Sequence, residues 1–100
     1  MRSDARTRLE EEVAALVADV PGVAYLSPRL LHRLTAGGRN GGGIRLSATA
    51  PATVEVWIAV RSGHRAATTA RTVRERIAAA LAGRPGLDGA RVQVVVTALT

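Results

Sequence analysis

The stretch TVEVWIAVR, residues 53–61, constrains the chain more than any other. Val54, Val56, Ile58 and Val60 occupy alternate positions, with Glu55, Trp57, Ala59 and Arg61 between them. Successive side chains of a strand point to opposite faces, so this run predicts a strand with one fully apolar face. An apolar strand face must be covered by other elements, and the rest of the chain supplies the cover. Ile44, Leu46 and Ala48 alternate with Arg45 and Ser47 just upstream, and Ala50-Pro51 offers a turn, so residues 44–61 read as a hairpin. ARVQVVVTAL repeats the pattern, with Val92, Val94, Val96 and Ala98 on one face.

Two segments have the helical period instead. Leu9, Val13, Leu16, Val17 and Val20 form one stripe, begun by Ser3 or Asp4 as a cap and stopped by Pro21-Gly22. Ala66, Ala70, Val73, Ile77 and Leu81 form a second, with Ser62 as a candidate cap and Gly83 as its end. Between Pro21-Gly22 and Pro28, Val23 to Leu26 reads as a short strand. Residues 29–36 fit a helical turn or further strand equally. The predicted order is helix, strand, strand, strand, helix, strand. Two amphipathic helices and strands with one apolar face combine most economically as an α+β two-layer sandwich, a small mixed sheet with both helices on one face. One hundred residues without a break in composition predict a single domain, 1–100.

The core available to this fold is thin. Leu, Ile and Val number 25, but there is no Phe and 19 residues are Ala, which bury little area. A small core leaves a lone chain marginal and favours self-association.

Charge is split along the chain. All fourteen basic side chains are Arg; residues 1–28 carry three of them with five acids, whereas residues 29–100 carry eleven with three acids. The overall balance of +6 suits acidic partners, anionic lipid or nucleic acid among them. It equally suits contact between the acidic first helix of one copy and the basic remainder of another.

Catalytic chemistry finds few candidates. Without cysteine there are no disulfides, thiolate metal sites or thiol nucleophiles. His32 and His64 have no carboxylates at ligand spacing, and no serine sits in a nucleophile-elbow sequence. Glu10, Glu11 and Glu12 read as a solvated face near a helix start, where the dipole favours acids. The expectation is a protein that is not an enzyme and takes no cofactor, metal or small-molecule substrate. The glycine-rich TAGGRNGGGIRL, residues 35–46, fails as a phosphate loop: a lysine and a following helix are required, and here there is no lysine and a strand follows. It fails as a dinucleotide fingerprint because position 46 is Leu46. Gly38-Arg39-Asn40-Gly41 matches the GxxG of K-homology domains, which keeps a small nucleic-acid-binding domain as the alternative function. As a flexible connection beside the hairpin it needs no ligand at all.

With the apolar face under the helices, the other face of the sheet presents Arg45, Ser47, Glu55, Trp57, Ala59, Arg61, Arg91, Gln93, Val95, Thr97 and Leu99. Trp and Arg are enriched at binding hot spots. Trp57, Arg45, Arg61, Arg91, Val95 and Leu99 are therefore the candidate partner-binding residues, with the open alternative that residues 27–36 fold back over Trp57.

Three strings in this order, VADVPGVAYL, TVEVWIAVRSGHRAATTARTVRERIAAAL and GARVQVVVTAL, resemble the alkaline shock protein family of bacterial envelope-stress proteins. They lie between residues 17 and 99 and together make up half of the chain. Departures are Ser62 where the family commonly has tyrosine before the turn glycine, Gln93 where it has asparagine, and the lack of charged tails. The resemblance implies a non-enzymatic interaction or scaffold protein that self-associates or docks on a membrane-anchored paralogue. It implies no catalytic residues. Acids where a signal peptide needs an apolar run, and no long apolar segment, add the expectation of a cytoplasmic protein, peripheral to the membrane only through a partner.

Overall fold

The computed structural model describes residues 3–27, 43–47 and 51–100. Helix α1 is Ser3–Ala18, β1 Val23–Leu26, β2 Ile44–Ser47, β3 Thr53–Val60, α2 Ala66–Leu81 and β4 Arg91–Leu99. This is the predicted order, and the α+β two-layer architecture is the observed one. The segment 29–36, His32 and the Gly38–Gly41 stretch lie outside the described residues, so the readings placed on them are not addressed.

Strand β3 is the centre of the sheet. On one side it pairs along its whole length with β4, in parallel, Val54 facing Val92 and Ile58 facing Val96. On the other side it pairs with both β1 and β2, antiparallel to each: β1 lies along its C-terminal half and β2 along its N-terminal half. The sheet is therefore mixed, three strands wide, and one of its edges is split. Trp57 marks the division, because its carbonyl accepts from Ser27 N–H at 2.7 Å while its own N–H donates to the carbonyl of Gly43 at 2.9 Å. One residue's hydrogen-bonding pair is thus shared between two strands that run in the same direction. The chain leaves the edge at Ser27 and rejoins it at the same rung.

That arrangement explains one of the glycines. A Cβ on Gly43 would lie 2.5 Å from the Cβ of Leu26, inside any allowed contact, and a tight 3.1 Å from its carbonyl carbon. The last glycine of the glycine-rich stretch is thus required by close approach of β1 and β2. Gly22 has a parallel reason, since a Cβ there would fall 2.2 Å from the Thr69 hydroxyl oxygen. The Pro21-Gly22 junction passes directly beneath the first turns of α2, and the Gly22 carbonyl accepts from Arg61 N–H at 2.8 Å.

Both helices cover the face carrying Val54, Val56, Ile58 and Val60, each completely buried. From α1 the core takes Leu9, Val13 and Val17, with Val20 just past its end, and from α2 Thr69, Val73, Ile77 and Leu81. Leu16 is half-buried, at the margin of its stripe, and Thr69 is more deeply buried than the expected Ala70. The reason lies at Gly22, whose missing side chain lets α2 sit close enough to bury position 69. Helix α2 starts at Ala66 with Arg65 as N-cap and no side-chain cap, so Ser62 does not cap it. Ser62 belongs instead to a turn in which Gly63 has φ 90°.

Two of the three consecutive glutamates are engaged within the chain. Glu10 Oε2 accepts from the backbone N–H of Leu46 at 3.0 Å, and Glu12 Oε1 accepts from Arg84 Nη2 at 2.6 Å. Arg84 Nε also donates to the Ala80 carbonyl at 3.0 Å, so one guanidinium closes the end of α2 and ties it to α1. The reading of Glu10, Glu11 and Glu12 as a solvated face applies to Glu11 and Glu12, which are exposed, whereas Glu10 is half-buried. No described helix is long and apolar enough to cross a membrane.

Candidate functional site

The face of β3 away from the helices is built in rows, because side chains on neighbouring strands line up across the ladder. Ser47, Thr53 and Arg91 form the first row, and Arg45, Glu55 and Gln93 the second. Trp57 and Val95 form the third, with Ser27 and Gly43 on the split side; Tyr25, Ala59 and Ala98 form the fourth. No described helix packs on this side. Trp57 and Val95 are half-buried, Tyr25 is 50% exposed, and Arg45 and Arg91 are exposed.

Of the sequence-predicted residues, Trp57, Val95, Arg45 and Arg91 come together here. Arg45 approaches Glu55 at 3.9 Å with more than half of its side chain exposed. An exposed ion pair of that length contributes little to stability and leaves the guanidinium available to a second acceptor. Beside it, Thr53, Glu55, Arg91 and Gln93 line an open depression of about 450 Å³. Arg61 is separate. It lies one residue past the end of β3, where its Nε donates to the Val23 carbonyl at 3.3 Å and helps hold the start of β1.

Leu99 requires a correction. The register of β3 against β4 slips between Ile58 and Ala59, so Ala98 faces Ala59 and Leu99 faces Val60. Thr97 is the extra residue of this bulge. Strict alternation assigns Leu99 to the open face and Ala98 to the helix-covered face; the bulge exchanges them. Leu99 is 70% exposed all the same, so it escapes burial on either face. Thr97 gains a specific role, its hydroxyl donating to the Ile58 carbonyl at 3.1 Å and meeting the Ser27 hydroxyl. That chain of hydroxyls crosses the sheet beside Trp57.

Tyr25 is the residue sequence reasoning missed. A second register shift, between Val23 and Tyr25, puts Val23 opposite Val60 among buried groups and turns Tyr25 to the open face opposite Ala59. Counting by twos from Val23 sends Tyr25 to the covered side. The available signal was the phenol itself, since a buried tyrosine hydroxyl needs a partner that a valine-rich core lacks.

The face therefore offers one end rich in guanidinium and carboxylate, a middle of indole and valine, and an end with a phenol and two hydroxyls. Three arginines against the one glutamate, counting Arg61 at the margin, make it cationic. Among the described residues no group of three His, Cys, Asp or Glu side chains could hold a metal ion. His64 is exposed in the turn before α2, away from these rows. No family model, no curated protein and no solved structure matches this chain.

Proposed function

We propose that this chain is a non-enzymatic interaction module that binds a protein partner on the helix-free face of its sheet. The observation that carries the reading is the row arrangement around Trp57. An indole, a valine and a phenol lie side by side with Arg45 and Arg91, the combination of apolar anchor and arginine that concentrates binding energy in protein interfaces. Among the described residues both helices and the apolar cluster they cover lie on the other side of the sheet. The resemblance to alkaline shock proteins extends the proposal. On that reading the partner is a membrane-anchored relative, and the chain works as a scaffold in the bacterial envelope-stress response.

A photo-activatable residue replacing Tyr25 or Val95 in growing cells tests this, with the same residue at Arg71 on the exposed side of α2 as the control. Discrete protein adducts at Tyr25 and Val95, absent at Arg71 and lost when Trp57→Ala and Arg45→Glu are added, are the expected result. Adducts equally abundant at all three positions, or none at Tyr25 and Val95, would refute it.

A further inference from the structure

The two edges of the sheet are not alike. The β1/β2 edge is divided into two strands of four residues, and its outward-pointing Leu46 N–H is taken by Glu10. Short strands and capped donors are the ways natural sheets protect an edge. The β4 edge has neither. It runs nine residues, contains no proline or lysine, and among the described residues pairs with nothing beyond β3.

The hydrogen bonds specify which groups this edge presents. Arg91 N–H donates to the Ala52 carbonyl, and in a parallel ladder alternate residues turn both N–H and C=O to the neighbour. Arg91, Gln93 and Val95 therefore bond to β3, and Val92, Val94 and Val96 direct their N–H and C=O groups away from it. The flat stretch ends at the Thr97 bulge. All three valines are only half-buried although they border the core.

We infer that β4 is the self-association edge of this protein, pairing antiparallel with β4 of a second copy about a two-fold axis at Val94. The pattern is self-complementary in this register alone. With Val94 opposite its own copy, Val92 faces Val96 of the second molecule and all the outward donors and acceptors of the three valines are satisfied. Shifting the axis to residue 93 or 95 leaves one valine of each copy unpaired. The side chains agree. Half-buried valines meet valines on the helix side, Gln93 meets Val95 on the open side, and Arg91 meets Thr97. The two Arg91 guanidinium groups lie six residues apart along the strands, about 20 Å, beyond the screening length of about 8 Å at physiological salt. The product is one continuous sheet six strands wide with closed symmetry, and a second copy is the occupant for which every position has a matching partner. This deepens the interaction-module reading, for it identifies one partner and leaves the open face of both copies available.

Because the chain has no cysteine, single cysteines test the register directly. Cα atoms of a hydrogen-bonded antiparallel pair lie about 5.5 Å apart, within disulfide reach, so Val94→Cys should cross-link to itself on oxidation. Val92→Cys and Val96→Cys alone place their like cysteines about 13 Å apart and should not, whereas a mixture of the two should. Sedimentation of the unmodified chain from about 1 µM to about 1 mM, a range bounding weak to moderate association, should show a dimer. Val94→Pro, which removes a donor that β3 does not use, should weaken it at least tenfold with an unchanged circular dichroism spectrum. A monomer throughout that range, or self-linking of Val92→Cys as fast as Val94→Cys, overturns the inference whatever happens to Val94→Pro. Trp57→Ala should leave the dimer intact; loss of the dimer in that variant, with no Val94→Cys cross-link, would place the copy-to-copy contact on the open face. That outcome ends the edge assignment and leaves the interaction-module reading standing.

Discussion

Replacing Gly43 by alanine tests the split edge. In most strands a glycine-to-alanine change is neutral or stabilises by about 0.4–1 kcal/mol, because the unfolded chain loses freedom. Gly43 does not occupy the left-handed region, so its backbone presents no obstacle to alanine. The obstacle is Leu26, whose Cβ would be 2.5 Å and whose carbonyl carbon would be 3.1 Å from the new methyl. Neither atom is the free end of a flexible side chain. The methyl can be accommodated only if β1 and β2 move apart where both bond Trp57. Overpacking of this kind costs about 1–3 kcal/mol, and weakening the Ser27 and Gly43 bonds to Trp57 adds up to about 1 kcal/mol for each. A loss of about 2–3 kcal/mol should lower the urea midpoint by about 2 M, taking a slope near 1–1.5 kcal/mol/M for a chain of this size. Urea unfolding followed by circular dichroism measures it. Every residue except glycine has a Cβ, so Leu26→Ala cannot relieve the contact and Leu26→Gly can. In a double-mutant cycle Gly43→Ala should therefore couple to Leu26→Gly by more than about 1 kcal/mol. A Gly43→Ala variant as stable as the parent, or more stable, would show that the two strands do not converge at Trp57.

Other perturbations follow from the same geometry. Gly22→Ala should destabilise by about 1–3 kcal/mol, and adding Thr69→Ala should recover part of the loss by removing the two atoms nearest the new methyl; thermal unfolding of the single and double variants reads this. Glu10→Ala removes the acceptor of Leu46 N–H, so the Leu46 amide should exchange faster with deuterium and stability should fall by about 1–2 kcal/mol, with Glu10→Gln retaining part of it. Ile58→Ala, at the fully buried centre of β3, should cost about 2–5 kcal/mol in urea unfolding, whereas Glu12→Gln, at an exposed pair with Arg84, should cost less than about 1 kcal/mol.

The central strand and both helix stripes were legible because each period runs unbroken through its element. Val54 to Val60 alternate without interruption, and Leu9 to Val20 and Val73 to Leu81 keep the helical spacing. What escaped was every place where the chain departs from its own period. The irregularity after Val23 and the bulge at Thr97 each insert one residue, and one residue reverses the facing of everything beyond it, which is why Tyr25 and Leu99 fell on unexpected sides. Nothing in a count of apolar residues records such a slip. The burial of Thr69 was hidden for a related reason: it depends on Gly22, forty-seven positions away in the chain, and closeness of that kind exists only after folding. The candidate site was half readable. Trp57, Val95, Arg45 and Arg91 follow from the alternation, whereas the removal of Arg61 to the start of β1 is a matter of where β3 ends.

The shared rung at Trp57 also bears on how such a chain can change over time. Ser27 and Gly43 are fastened to the same residue, so the spacing between the two ends of the fifteen intervening residues is set by β3. An insertion between those two points leaves both bonds to Trp57 where they are. Sequence there can lengthen, shorten or acquire a new binding element while the sheet is inherited intact. A lineage of these proteins would then diversify at one splice point next to the indole, and a newly inserted peptide would emerge beside the surface it could modify.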